Sequence, residues 1–185
     1  MPEDIHTSLP ETDPFVAEVS RHYSELFPDA DVTDVELNLA VVRGFVAIES
    51  VMGSYLAPKG LTRTRYTVLR VLFFAEGQRL AMSEISRRVN VNNANITRQI
   101  DALESQGYVR RTASPGDRRV VYAELTPEGR ALAARIIPEV YDLTVEIWSV
   151  LDAEETATLK RVLARFRTAV DRRLGATNAT PTVGD

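Results

Sequence analysis

Residues 80–125, LAMSEISRRVNVNNANITRQIDALESQGYVRRTASPGDRRVVYAEL, decide how the rest of the chain is read. They read as two short helices joined by a tight turn, followed by a β-hairpin with a basic tip. Ser83 is expected to cap the first helix, with Ile85 and Val89 inward and Arg87 and Arg88 outward. Asn90 tolerates the left-handed conformation that ends it, Val91 plugs the angle between the helices, and Asn92 caps a second helix over residues 93–106. Steps of four and three place Ile96, Ile100 and Leu103 on its inner face. Ala94, Thr97, Arg98 and Asp101 are left outward, with Asn95 at the margin and Asn93 reaching out from the first turn. Gly107 closes this helix as a left-handed cap. The β-formers of residues 108–112 and 120–125 then flank SPGDRR, residues 114–119, whose Pro-Gly marks the hairpin tip. Proteins use a helix followed by a basic hairpin to put one element in the major groove of DNA and another against the backbone or minor groove beside it.

Working outward, residues 1–30 form an N-terminal extension in which Phe15, Val19, Tyr23 and Leu26 share one face of a short helix over residues 14–27. A long helix follows, capped by Asp31 or Thr33 and stopped by Pro58 and Gly60 within residues 31–60. It carries two apolar stripes, Val35, Leu39, Val42 and Val46 on one side and Val41, Phe45, Ile48 and Met52 beside them. Such breadth predicts burial on more than one side, and hence a subunit partner. Thr62 caps the next helix, which supplies Tyr66, Leu69, Val71, Leu72 and Phe73 and ends at Gly77; residues 80–82 are an extended link. Beyond the hairpin, Thr126 and Pro127 open a helix toward Val150 that Pro138 should bend. Asp152 and Glu155 form a capping box for the last helix, whose stripe is Leu159, Val162, Leu163, Phe166, Val170 and Leu174. These two helices span residues 126–174, and residues 175–185 are expected to be a disordered tail. The fold class is therefore mainly α with a small β-hairpin, a winged helix-turn-helix over residues 61–125 flanked by long helices.

Composition excludes several chemistries. The 185 residues contain no cysteine, which removes disulfides, thiolate metal sites and thiol redox sensing. Both histidines, His6 and His22, lie at the N-terminus, so a Ser-His-Asp triad or a histidine metal site within the main domain is excluded. No cofactor or metal is expected. No phosphate-binding glycine loop or nucleophile with its base occurs, so the chain does not read as an enzyme. No uninterrupted apolar run approaches the ~20 residues of a membrane span, and the acidic, polar first residues lack the order of a secretory signal; a cytoplasmic protein is expected. The net charge of −4 divides unevenly: from Leu61 to Arg119 eleven arginines face five acids, a balance of +6, leaving −10 elsewhere. A basic segment between acidic flanks suits contact with phosphate.

The motif I-T-R-Q-I-D-A-L-E-S-Q-G-Y-V-R-R-T-A-S-P-G-D-R-R-V-V-Y-A-E-L-T-P-E-G-R, residues 96–130, resembles the MarR family of bacterial transcriptional regulators. Its helix ends in L-E-x-x-G, its hairpin carries D-R-R, and L-T-x-x-G follows. The resemblance, over about residues 32–174, implies a homodimer in which the first long helix and the last two form the interface. It makes residues 93–106 the recognition helix, Arg119 the wing arginine that enters the minor groove, and Asp117 the residue that orients it. A guanidinium suits the negative potential of a narrow A·T minor groove. The chain departs from the family at Asn92, Asn93, Ala94 and Asn95, where Ser-Arg-Ser-Thr is frequent, and at Ala81, usually Thr or Ser; no operator sequence is carried over.

The expected DNA contacts are Ser83, Asn93, Asn95, Thr97, Arg98, Arg110, Asp117, Arg118 and Arg119, with Arg111 a further phosphate contact. Asparagine can pair bidentately with adenine and arginine with guanine. The partner would be double-stranded DNA, a pseudo-palindromic operator. The resemblance also implies a small aromatic or phenolic effector, for which Phe45, Tyr55, Arg65, Tyr66 and Trp148 are candidate lining residues, although packing alone accounts for each of them. The reading is a homodimeric regulator, a repressor released by such a ligand. The alternative is a helical interaction module or antirepressor that keeps the fold without binding DNA, against which the +6 balance and the intact Asp117, Arg118 and Arg119 stand.

Overall fold

Asp13 starts the first helix, α1 (Pro14–Leu26): its carboxylate accepts from the Phe15 amide at 2.9 Å, and Pro14 occupies the first helical position. The structure, a computed structural model, describes residues 13–89, 92–113 and 120–178, with position 93 and positions 175–178 described by backbone only. The chain divides into two units, residues 1–134 and 135–185.

In the first unit α1 packs on α2 (Thr33–Leu56). Val16 and Ser20 are buried, the Asp13 carboxylate pairs with Arg43 of α2, and that guanidinium covers the Phe15 ring at 5.1 Å from its centroid. The inward face of α1 is thus offset from the expected stripe: Phe15, Tyr23 and Leu26 stay exposed. Asp31 accepts from the Thr33 amide at 2.9 Å, which supports the start of α2 from one residue outside Val32, the position at the helix boundary. Only the end of α2 reaches the core, through Met52 and Leu56. Both of its stripes are otherwise largely uncovered in the single chain, Phe45 and Val46 at 57% and 58% exposure. Counting uninterrupted apolar residues understates this helix, since Thr33–Lys59 is long and apolar enough, by length and composition, to cross a membrane. Arg43 and Glu49 interrupt it, paired with Asp13 and Arg63 on the surface.

A 3₁₀ turn (Ala57–Lys59) and Gly60, at φ 69°, end the long helix; the Leu61 amide returns to the Leu56 carbonyl at 3.2 Å. Thr62 then caps α3 (Arg63–Phe73), its hydroxyl accepting from the Arg65 amide at 3.3 Å. Tyr66, Val68, Leu69 and Leu72 are its buried side chains. The helix stops at Phe73, before Gly77, which instead turns the chain at φ 61° within a second 3₁₀ segment. The expected extended link is a strand, β1 (Arg79–Ala81). It pairs antiparallel with β3 (Val121–Leu125), which also pairs with β2 (Val109–Ala113), giving the order β1-β3-β2.

Between β1 and β2 lie α4 (Met82–Val89) and α5 (Asn93–Ser105). The core of this unit collects Leu56, Leu69, Leu72, Ile85, Ile100 and Leu103 with Val109, Ala123 and Leu125 from the sheet. Fully burying one such aliphatic chain is worth roughly 1.5–3 kcal/mol, so the helix-turn-helix is held from below by its own unit. The hairpin tip, residues 114–119, and the turn residues Asn90 and Val91 lie outside the described residues.

α6 (Pro127–Trp148) remains helical on both sides of Pro138, whose missing N–H leaves the Ala134 carbonyl without its usual helical donor. In the second unit Ile136 and Val140 are buried. The predicted capping box is formed at the start of α7 (Ala153–Asn178): the Glu155 amide donates to the Asp152 carboxylate at 2.8 Å and the Asp152 amide to the Glu155 carboxylate at 2.9 Å. α7 continues through Gly175 to Asn178, four residues into the segment expected to be disordered. The helical hydrogen bonds of its long, arginine-rich body carry it past the single glycine. Val162, Leu163, Phe166, Val170 and Leu174 make an exposed row along it.

Candidate nucleic-acid interface

α5 is fixed at both ends. Asn92 caps it, its side-chain carbonyl accepting from the Asn95 amide at 2.9 Å. At the other end Gly107, at φ 76°, donates to the Glu104 carbonyl at 2.9 Å, and the Tyr108 amide reaches Leu103 at 2.9 Å. The Thr126 hydroxyl locks this corner from α6: it donates to the Gly107 carbonyl at 2.6 Å and accepts from the Gly129 amide at 3.0 Å. Gly129 must be glycine, because a Cβ there would run into the Tyr108 carbonyl. The L-T-x-x-G motif is thereby the clamp that holds the end of α5 against the start of α6.

The inner face is as read from spacing, with Ile96, Ile100 and Leu103 fully buried. Ala94, Thr97, Arg98 and Asp101 are exposed, and Asn95 is half-buried. Two tethers orient this face. From α3, the Arg65 side chain donates to the Gln99 side-chain oxygen Oε1 at 3.3 Å, and the Gln99 side-chain amide donates to the Asn95 side-chain oxygen Oδ1 at 3.0 Å. From β2, Arg111 pairs with Asp101 at 2.6 Å and Glu104 at 2.5 Å and donates to the Thr97 carbonyl at 3.3 Å. Burial works against the Arg111 charge, but its hydrogen bonds to Asp101 and Glu104 more than offset this and hold its pKa above the ordinary value. Arg111 is therefore a strut beneath the outer face of α5, its guanidinium committed to two carboxylates and not offered to phosphate. Spacing alone did not reveal this strut; the available signal is the Asp101 and Glu104 pair, one turn apart and facing a strand arginine.

The other expected contacts separate by their partners. Ser83 does not cap α4, which begins at Met82 directly off the last paired residue of β1; Ser83 lies exposed in the first turn. Arg87 and Arg88 both clasp Glu84, at 2.5 and 2.6 Å, and together with it form an ion-paired rim. Their hydrogen bonds, that of Arg88 first, hold the Glu84 carboxyl below its usual range. Arg110 pairs with Glu124 across the sheet at 2.7 Å, near the hairpin base, and this lowers the Glu124 carboxyl in turn. Arg98 has no ion pair among the described residues. The +6 balance overstates the free positive charge by two, because Arg63 and Arg110 pair with Glu49 and Glu124, acids that lie outside the residues counted. Asn93 is the first residue of α5, its side chain outside the described set, as are Asp117, Arg118 and Arg119.

Of the candidate effector residues only Tyr66 is buried; Tyr55 and Arg65 are half-buried, and Phe45 and Trp148 are exposed. Tyr66 is buried in α3 with Arg70 over its ring at 5.6 Å, Arg63 lies over Phe45 at 5.9 Å, and Lys59 over Tyr55 at 3.5 Å, while Arg65 holds Gln99. In the second unit Trp148 lines a cavity of about 380 Å³ with Tyr141, Leu151, Leu159, Leu163 and Lys160.

A MarR family profile matches residues 61–121. The chain is 33% identical over 116 residues to the HTH-type transcriptional repressor YetL of Bacillus subtilis, covering 63% of this chain and 70% of that protein. To the HTH-type transcriptional regulator MhqR of the same organism it is 34% identical over 137 residues, covering 71% and 93%. Its fold is similar to that of a cysteine-to-serine variant of MarR from Escherichia coli crystallised with operator DNA, at a TM-score of 0.64 and 27% identity over 78% of this chain and 96% of that one.

Proposed function

Because the chain belongs to the MarR family of transcriptional regulators, which are not enzymes, we propose that it binds double-stranded DNA as a homodimer and represses transcription. α5 enters the major groove and the hairpin tip reaches the adjacent minor groove. The observation that carries this reading is the α5 face itself. Thr97 and Arg98 project, with half-buried Asn95 at the margin, from a helix whose inner residues are fully buried and whose ends are both capped. Such a face can offer side chains to base edges without reorganising. Asn93 and Ser83 flank it as further contacts. Arg119 is the wing contact, steered by Asp117, with Arg118 beside it; Arg110 reaches phosphate only by exchanging Glu124. The similar YetL is named a repressor, and that supports the sign of regulation. A regulator of this kind works inside the cell.

The uncovered stripes of α2 and the uncovered row on α7 support the homodimer, since contiguous apolar surface of this kind marks a protein interface. Two copies would hold two α5 helices against half-sites about 10 base pairs apart on a pseudo-palindrome. Release by a small aromatic or phenolic ligand is the finest part of the reading, supported by the aromatic walls of the Trp148 cavity. Trp148 is the one tryptophan of the chain, so its fluorescence reports any ligand that enters that cavity. An inducer needs a differential affinity of roughly 1–3 kcal/mol between DNA-competent and incompetent states.

The test is selection of bound fragments from genomic DNA. The reading expects enrichment of a two-fold symmetric sequence, and a protein-only interaction module would enrich none.

A further inference from the structure

The charge of the chain is divided between two of its uncovered apolar faces. Residues 13–49, holding α1 and most of α2, carry eight acids and two arginines, a balance of −6. Residues 160–173 of α7 carry six bases and one acid, a balance of +5. α1 is seated on α2 by Val16, Ser20 and the Asp13 pairing with Arg43, which leaves its other edge uncovered. On that edge the Tyr23 and Phe27 rings lie 6.2 Å apart beside Leu26, and Leu26 is 73% exposed.

An aromatic edge fixed in place but open to water calls for a cover, and charge selects it. In a two-fold dimer, the acidic α1 and α2 surface set against its own copy would oppose −6 to −6. Set against the α7 of the other copy, it meets +5 on a helix whose own apolar row is uncovered. We propose that α1 is a clasp: the Tyr23, Leu26 and Phe27 edge of one copy closes on the basic apolar α7 of the other. The clasp rests on the homodimer reading. It assigns to the N-terminal helix, which lies outside the family-matched residues, a role in joining the copies.

The chain has no cysteine, so His22→Cys, on the exposed surface of α1, can carry a benzophenone at a single position. Labelled chain is re-equilibrated with ¹⁵N-enriched chain, irradiated and mapped by mass spectrometry. In parallel, the dimer dissociation constant is measured by dilution for the full chain and for Tyr23→Ala combined with Phe27→Ala, each checked for unchanged helicity. The clasp predicts adducts from α1 to residues 160–178 between light and heavy chains. It also predicts a dissociation constant raised about tenfold in the double variant, and a wild-type dimer that weakens as salt is added. A persisting dimer with unchanged affinity in the variant, and with adducts confined to one chain or to other segments, overturns the clasp and leaves the homodimer standing. A wild-type chain that stays monomeric at micromolar concentration overturns both.

Discussion

α5 and α2 are opposite solutions to placing a helix. The thirteen residues of α5 bury Ile96, Ile100 and Leu103 completely, turn polar groups outward and are held by caps and by Arg111. The twenty-four residues of α2 bury two side chains and leave Val41, Val42, Phe45 and Val46 uncovered. The reading helix is complete within one chain; the scaffold helix is not. The proposed homodimer gives this a reason: each copy would supply a finished recognition surface, and the distance between the two surfaces would be set by an interface that a ligand could bias.

The contrast can be broken most forcefully in the core beneath α5. Ile100→Ala is expected to cost about 2–5 kcal/mol, seen in urea unfolding at low and high protein concentration alike. Next in size, Arg98→Ala should weaken operator binding by about 1–3 kcal/mol, measured by anisotropy, with an unchanged thermal midpoint. Val42→Asp combined with Phe45→Asp should do the reverse of Ile100→Ala. The monomer should fold, its stability changed by only about 0.5 kcal/mol as for ordinary surface positions, but light scattering should give the mass of one chain, and unfolding should lose its dependence on concentration. Asn92→Ala removes the α5 cap and should cost about 1 kcal/mol by denaturant titration.

The smallest effect is titration of Glu124. Its folded pKa is depressed by the Arg110 hydrogen bond from a value of 4.5. Its contribution to stability is therefore complete above about 4.5 and lost as the pH falls through the folded value. Glu124→Gln should flatten the acid limb of the stability profile slightly, and a stability curve of unchanged shape would show that the pair adds nothing.

Much of the recognition unit is legible in the residues because its signals are local. Ile96, Ile100 and Leu103 follow helical spacing, Asn92 and Gly107 mark the ends of α5, and Thr126 with Pro127 marks the start of α6. What escapes depends on pairing between distant segments. β1 is three residues long and becomes a strand only through Tyr122, Ala123 and Glu124 of β3. Ser83 loses the capping position because that pairing delivers the chain to Met82 already placed for a helix. Arg111 looks like a phosphate contact until the fold sets it beside Asp101 and Glu104. The α1 stripe is misjudged by one position because periodicity defines a face but not which part of it a neighbour will cover. The candidate effector residues are the least legible, since a pocket is a property of several elements and Tyr66, Phe45 and Tyr55 each sit as ordinary surface or core side chains.

The most direct test of a finished reading helix on an unfinished scaffold is native mass spectrometry of the full chain bound to a recovered operator duplex. Two chains per duplex across the titration, with no stable one-chain complex on the full site, is the predicted result. A single chain bound at full affinity to an isolated half-site, with no gain from the second half, would contradict it.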